Sequence, residues 1–354
     1  MGAARKKAAL FYYMEKRTEI GSVGEFGLIE RLAKPFSSHQ SWTAIGIGDD
    51  AASLHAEGME VVSTTELLIE GVHFDLSYSP LPHLGFKVVS LALSDIAAMN
   101  AKPTQISIGL GLSNRFSVEA VEELYTGIQQ ACEEYKVDLV GGDTTASPQG
   151  LIISVSALGL VDSKNLTKRS GAKPNDVICV TGDLGGALMG LQSLEREKQV
   201  YLANPTMQPE LDGKSYVVLR QLKPVARFDI LHELADMGVV PTSMIDCSDG
   251  LASEIIHLCN ASNTGARIFE KNIPIDDETY LSATEFNLSP LTAALNGGED
   301  YELVFTVSQK DFEKVEKIAD VTAIGYMTDV RHERVLVMKS DQIVDLTAPG
   351  FGEN

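Results

Sequence analysis

Apolar residues fall along this chain in two rhythms. Short apolar runs at 43–48, 59–66, 105–112 and 151–161 have the length of strands. Between them, apolar positions recur at helical spacing over 24–33, 82–100 and 117–136. The pattern predicts an α+β first half. Around 162–175 the chain turns polar (DSKNLTKRSGAKPN), with Gly and Pro supplying breaks, and a domain junction is placed there. The second half resumes with strand-like DVICVTG, helix-compatible GGALMGLQSLEREK, a helical region over 207–236 and strand-like TSMIDC. A helix begins near Asp249, and strands follow at 265–270, 301–307 and 321–326. Strands and helices alternate here, which predicts a mixed α/β domain. The expected division is a loosely attached extension at 1–20, an α+β domain at 21–165 and an α/β domain at 166–354.

Composition narrows the class. The chain has 354 residues, 44% of them hydrophobic, and no apolar run reads as long enough to cross a bilayer, so a soluble protein of two domains is expected. The start, MGAARKKAALFYYMEKR, is basic, but its apolar part is short and Glu15, Lys16 and Arg17 close it. No signal peptide is read there, and a cytoplasmic location is expected. Cys132, Cys179, Cys247 and Cys259 form no C-x-x-C pair and read as buried small hydrophobes. A net charge of -20 argues against nucleic acid and anionic membrane as partners. It would repel a polyphosphate too, unless metal ions held by carboxylates supply positive charge.

Carboxylates recur in one kind of setting. The stretch AIGIGDDAA (44–52) taken alone is ordinary turn chemistry. Four further segments share its grammar: LALSDIAAMNAKP (91–103), LVGGDTTASP (139–148), MIDCSDGLASE (244–254) and LNGGEDYELVF (295–305). Asp95 lies among Leu91, Leu93, Ile96, Ala97 and Met99 on a helix that otherwise reads as buried. An unpaired carboxylate there costs several kcal/mol, so a cation is the expected remedy; a salt bridge to a lysine such as Lys102 is the competing one. Asp246 and Asp249 can aim at one point if the chain bends between them, and Asp249 also suits the N-cap of the following helix. In VGGDTTA, the glycines would let backbone N–H groups approach a phosphate while Asp143 holds a cation on it. Magnesium suits such an oxygen donor set. There is no G-x-x-x-x-G-K-[ST], no G-x-G-x-x-G after a strand and no kinase H-R-D or D-F-G set. The N-terminus of the helix after VTGDLGG could receive an anion, although close packing explains its glycines as well.

Together, GEFGLIERL, GIGDDAA, EGVHF, LSDIAAMNAKP, GGDTT, KRSGAKPND, CSDGL and GGEDYELVF, in that order from residue 24 onwards, resemble the thiamine-monophosphate kinases. The wider superfamily includes aminoimidazole ribonucleotide synthetase, selenophosphate synthetase and the hydrogenase-maturation ATPases. The Asp motifs are common to the superfamily, whereas GEFGLI, EGVHF and GGEDYEL favour the kinases. The resemblance implies magnesium ligation by Asp50, Thr64 and Thr65 (backbone or hydroxyl), Glu66, Asp95, Asp143, Asp246 and Asp249. Asp95, Asp246 and Asp249 are the catalytic candidates among them. For ATP it implies Tyr125 near the adenine, Gly142 and Asp143 at the phosphates, Arg169 at the phosphate tail and Ser248 nearby; for thiamine phosphate it implies His73, Glu299 and Phe351. Glu66 stands where relatives often carry Asp, and Phe351 where they carry Trp or Tyr. The residues alone leave other readings open: Tyr125 could pack in the core, His73 could be a surface histidine, and Glu299 and Asp300 could shape a turn.

The implied reaction is direct transfer of the ATP γ-phosphoryl group to thiamine phosphate. The resemblance further implies a homodimer whose amino-terminal domains pair their sheets. Two rivals remain at this point. One is another ATP-dependent synthetase of the superfamily, against which there is no Cys or Lys in an amino-terminal glycine-rich segment and no terminal Cys. The other is a metal- and nucleotide-binding scaffold without catalysis.

Overall fold

The computed structural model describes residues 43–45 and 49–348. The expected extension at 1–20, the helix at 24–33, the glycines of GIGDD and Phe351 lie outside these residues.

The first sheet contains β1 (Thr43–Ile45), β2 (Ala52–Ala56), β3 (Met59–Ile69), β4 (Lys102–Leu112), β5 (Asp138–Ala146) and β6 (Ile152–Asp162), in the order β1-β2-β3-β6-β4-β5. Its pairs are antiparallel except β4 with β5. The period-2 pattern of β3 and β6 separates two faces. Val62, Leu68, Ile153, Val155 and Ala157 are buried, whereas Thr65, Leu67, Leu158 and Leu160 are exposed on the other side. Two helices, α1 (Leu81–Ala98) and α2 (Val118–Tyr135), pack against each other, and α1 lies against β3, β4 and β6. β5, whose glycines are expected from sequence to let backbone N–H groups approach a phosphate, is a strand at the sheet edge with every residue exposed.

α1 is the one described helix long and apolar enough to cross a membrane, contrary to the sequence reading, and 78% of it is buried in the fold. Its composition reflects packing on nearly all sides, because it also touches a strand of the second sheet. Its crossing with α2 is close. A Cβ on Gly85 would stand 2.0 Å from the Leu124 carbonyl oxygen, and one on Gly127 would stand 1.8 Å from that of Pro82. Gly127→Ala should therefore force the helices apart and cost about 1–3 kcal/mol, read as a lower urea midpoint.

The second sheet contains β7 (Val177–Thr181), β8 (Ser243–Asp246), β9 (Gly265–Phe269), β10 (Leu303–Val307), β11 (Val321–Thr328), β12 (Arg334–Val337) and β13 (Ile343–Asp345), in the order β13-β12-β9-β11-β7-β10-β8. β10 (LVFTV) pairs with neighbours on both sides and is buried throughout, which explains its near-continuous apolar run. The helices are α3 (Gly186–Ala203), α4 (Ser215–Leu222), α5 (Phe228–Asp236), α6 (Leu251–Ser262), α7 (Asp277–Glu285), α8 (Pro290–Asn296) and α9 (Gln309–Val315). The helical region expected over 207–236 is thus two helices. Pro224 disfavours helical backbone at Lys223, where α4 stops. One core joins the halves: Leu93 and Ile96 of α1 share a cluster with Met244, Phe305 and Val307.

Two acids of GGEDYE are structural. Asp300, 1% exposed, accepts from the backbone N–H groups of Gly185 (2.7 Å) and Ala187 (3.2 Å). The anion received at the start of α3 is therefore the chain's own carboxylate. Glu302, also 1% exposed, is held by Arg220 (2.7 Å), Arg227 and Thr181.

Candidate active site

Segments from both halves of the chain converge on one group of carboxylates. Asp95 stands near the end of α1, Asp246 ends β8, and Asp50 lies in a bend just ahead of β2. A carboxylate oxygen from each can be chosen so that all three lie within 4.8 Å of one another. Ser94 donates to Asp246 (2.7 Å) and Thr64 donates to Asp95 (2.6 Å). Glu66 follows Thr64 by two residues, so strand alternation brings it to the same face, and its carboxyl contacts that of Asp95. The added methylene relative to Asp thus leaves Glu66 within the cluster. Thr65, between them, points the opposite way and shares a hydrogen bond with Ser156 (2.9 Å). Its hydroxyl is not part of the carboxylate group, so of the two options expected for Thr65 only the backbone remains.

Among the described residues, one cation faces this group directly. Arg169 donates from Nε (2.8 Å) and a terminal nitrogen (3.1 Å) to the two oxygens of Asp50, and its backbone N–H donates to Asp49 (3.1 Å). Asp49 therefore ties the turn to the 162–175 segment, while Asp50 faces the cluster. Burial, and then the charges of Asp246, Glu66 and Asp50, hold the Asp95 carboxyl well above the ordinary range. Burial and Asp50 push Asp246 up to about 7, and burial and Asp50 push Asp49 up to about 6. Glu66 is also raised by burial, and Glu254 is held well above its usual value by burial and Asp246. Lys102, the alternative partner for Asp95, instead lies at the start of β4 with an exposed side chain. All-oxygen donors, packed this closely with a single guanidinium, fit a hard divalent cation.

The CSDG and GGED loops are stapled by their backbones. The N–H of Glu299 donates to the Ser248 carbonyl (2.7 Å), and that of Tyr301 to the Cys247 carbonyl (2.9 Å). Glu299 (φ 58°) and Tyr301 (φ 52°) both adopt left-handed backbone, a conformation that costs non-glycine residues on the order of 1–3 kcal/mol and often marks a working site. Asp249 is not the N-cap of α6: Gly250 takes that position at φ 104°, and the Asp249 N–H donates to Glu254 (3.0 Å). Asp249 is exposed beside the cluster and is not among its three closest carboxylates.

Of the expected nucleotide residues, Arg169 faces the cluster, whereas Tyr125, Gly142 and Asp143 lie elsewhere. Asp143 is on β5, where it accepts from the Thr144 N–H (2.9 Å), and it lines a cleft of about 260 Å³ with Gly109, Gly111 and Thr145 on the open face of the sheet. Gly142 serves the strand pairing, because a Cβ there would lie 2.2 Å from the Ile108 carbonyl oxygen. A Cβ on Gly141 would meet nothing within 4 Å. Tyr125 packs against the core, as one of its two sequence readings has it, and lines a shallow depression of about 310 Å³ with Leu139.

At the other end, His73 is exposed after β3. Its Nδ1 accepts from the Ile69 N–H (3.1 Å), which leaves the ring proton on Nε2. Glu299 lies across the domain boundary from it. Its Oε2 accepts from Gln221 Nε2 (2.8 Å) and from Lys87 Nζ (3.1 Å). The sequence reading missed Lys87, although the signal was the one that exposed Asp95: a charge within an apolar helix.

Residues 48–161 match the family described as AIR synthase related protein, N-terminal domain, and residues 173–338 match AIR synthase related protein, C-terminal domain. Fold and site together define a member of this two-domain class. Thiamine-monophosphate kinase of Buchnera aphidicola (subsp. Schizaphis graminum) is 34% identical over 330 residues, covering 90% of this chain and 97% of the relative. That of Bacillus subtilis is 32% identical, covering 90% and 95%. AaThiL, solved in complex with AMPPCP and TMP, superposes with a TM-score of 0.79 at 28% identity, covering 96% of this chain and 99% of that one. Hydrogenase maturation protein HypE, at 17% identity and a TM-score of 0.67 over 89% of this chain and 95% of that one, shares the fold. The chain belongs to the thiamine-monophosphate kinase family.

Proposed function

We propose that this protein transfers the γ-phosphoryl group of ATP to thiamine phosphate, giving ADP and thiamine diphosphate. The observation that carries the reading is the Asp50, Asp95 and Asp246 cluster, with its carboxylates within 4.8 Å of one another, in a chain of this family. Magnesium is the metal the oxygen donors favour, held by Asp50, Glu66, Asp95 and Asp246, with Asp143 and Asp249 reaching further ions. When bound, it supplies positive charge that screens two polyanionic substrates and the transferring group.

The chain's own residues position the reactants. The attacking oxygen belongs to a phosphate that is largely ionised near neutral pH, so no strong general base is needed. The requirement is alignment. Tyr125, Gly142, Asp143 and Ser248 hold the nucleotide in this reading, and Arg169 turns from Asp50 to the phosphate tail. His73 and Glu299 hold thiamine phosphate: the Nε2–H of His73 donates to an acceptor, and the carboxylate of Glu299 faces the cationic thiazolium or the aminopyrimidine. The homodimer forms through the open sheet face that exposes Leu67, Leu158 and Leu160.

Release of ADP that requires both thiamine phosphate and magnesium is the expected result of a coupled assay, and nucleotide binding without turnover would contradict it. A radiolabelled phosphoprotein on the turnover pathway would rule out direct transfer. Sedimentation velocity should give a dimer, and a monomer at assay concentrations removes the shared-sheet reading. His73→Ala should raise the KM for thiamine phosphate about tenfold, equivalent to about 1.4 kcal/mol, and leave that for ATP unchanged. A change confined to ATP would place His73 on the other side of the site.

A further inference from the structure

Lys87 is 4% exposed on α1, in the middle of a helix that otherwise buries apolar side chains. Burying an ammonium is costly unless it is paired and hydrogen-bonded. Its two partners both come from the second half of the chain: the Gln221 backbone carbonyl (3.1 Å) and Glu299 Oε2 (3.1 Å). Gln221 closes a triangle, since its side-chain amide donates to the same carboxylate oxygen (2.8 Å). Glu299 Oε1 accepts no hydrogen bond from the described residues, and the side chain is 31% exposed. One oxygen is therefore anchored by two donors while the other is left for a ligand. Lys87 also lines the same small cavity as His73, Tyr78 and Gln221.

The spacing along α1 extends the argument. Seven residues on from Lys87, Ser94 donates to Asp246, also on the second half of the chain. Two helical turns separate these residues, so they share a face about 10 Å apart along the axis. One rigid helix thereby fixes both the Glu299 loop and the metal-side carboxylate. We infer that Lys87 is a positioning residue for thiamine phosphate: it anchors Glu299 across the domain boundary and, with Ser94, sets the distance between the carboxylate that receives the substrate and the carboxylates that receive the metal. This rests on the assignment of Glu299 to the thiamine phosphate side of the site.

The test is a double-mutant cycle on the full-length protein, using Lys87→Met, Glu299→Gln and the double variant. The readouts are the KM for thiamine phosphate, the KM for ATP and calorimetric binding of magnesium-ATP. Lys87→Met should raise the KM for thiamine phosphate about tenfold with magnesium-ATP affinity unchanged, and should add nothing in the Glu299→Gln background. Independent, multiplying effects, or a parallel loss of magnesium-ATP affinity, would overturn the inference and leave the Glu299 assignment standing. If Glu299→Gln itself leaves the thiamine phosphate KM unchanged, the assignment of Glu299 fails, and the inference with it. Should Lys87→Met not fold, Gln221→Met removes the other donor to Oε2. Its smaller rise in KM should likewise vanish in the Glu299→Gln background, and a rise that persists there overturns the inference.

Discussion

Asp95→Asn should lower kcat about a thousandfold or more, a loss of about 4 kcal/mol of transition-state stabilisation, while the metal-free protein keeps or raises its melting temperature. The two halves of this expectation have one cause. Asp95 shares a 4.8 Å cluster with Asp50 and Asp246 and contacts Glu66, so these three carboxylates oppose its charge while the Thr64 hydroxyl supports it. An amide of the same shape still accepts from Thr64 but cannot balance a cation. Like charges this close destabilise the fold when no metal is present, so removing one relieves repulsion. Steady-state ADP release together with calorimetry in chelator checks both. Activity within tenfold of the parent would remove Asp95 from the metal site, and a large drop in melting temperature would mean that its role is structural.

Magnesium should stabilise the protein far more at pH 8 than at pH 5. Folding raises the carboxyl of Asp246 to about 7 and that of Asp49 to about 6, from an ordinary 3.8 for both, and it also raises those of Asp95 and Glu66. Between about pH 4 and pH 7, the metal-free folded state therefore holds more protons than the unfolded chain. Stability is fully present below that window and is lost as pH rises through it. Once the carboxylates are ionised, a divalent cation takes the place of the protons. At a hundredfold excess over its dissociation constant it contributes about 2.7 kcal/mol. Asp300, also pushed up to about 7 by burial, pairs with Arg220 and two backbone N–H groups, so its titration continues without metal. Thermal melts with and without magnesium at the two pH values provide the measurement. Equal shifts at both, or an undiminished magnesium effect in Asp246→Asn, would count against the cluster as the binding site.

Asp95 and Lys87 show how a site can be legible in one way and hidden in another. Each is a charge set among apolar helical positions, and that conflict between period and polarity can be read from α1 alone. What satisfies the charge cannot. Asp95 and Asp246 lie 151 positions apart, and Lys87 and Glu299 lie 212 apart. Thr64 and Thr65 look equivalent in sequence, yet the pleat sends one hydroxyl to Asp95 and the other to Ser156. The glycines of VGGDTTA read as a way for backbone N–H groups to approach a phosphate, whereas pairing with β4 makes the segment an edge strand in which Gly142 clears the Ile108 carbonyl.

By itself the sequence determined the main strands and helices, through periodicity, and the acidic chemistry, through carboxylates repeated beside glycine and serine. It also pointed to a cation for Asp95 on α1. Only the tertiary structure decided which acids gather within 4.8 Å of one another, that Arg169 pairs with Asp50, that Asp300 caps the start of α3 while Glu299 meets Lys87 and Gln221, and that α1 bridges both halves. The reason is physical. Periodicity and desolvation are properties of a local segment, while the pairing of charges depends on which distant segments the packed core brings within hydrogen-bond reach.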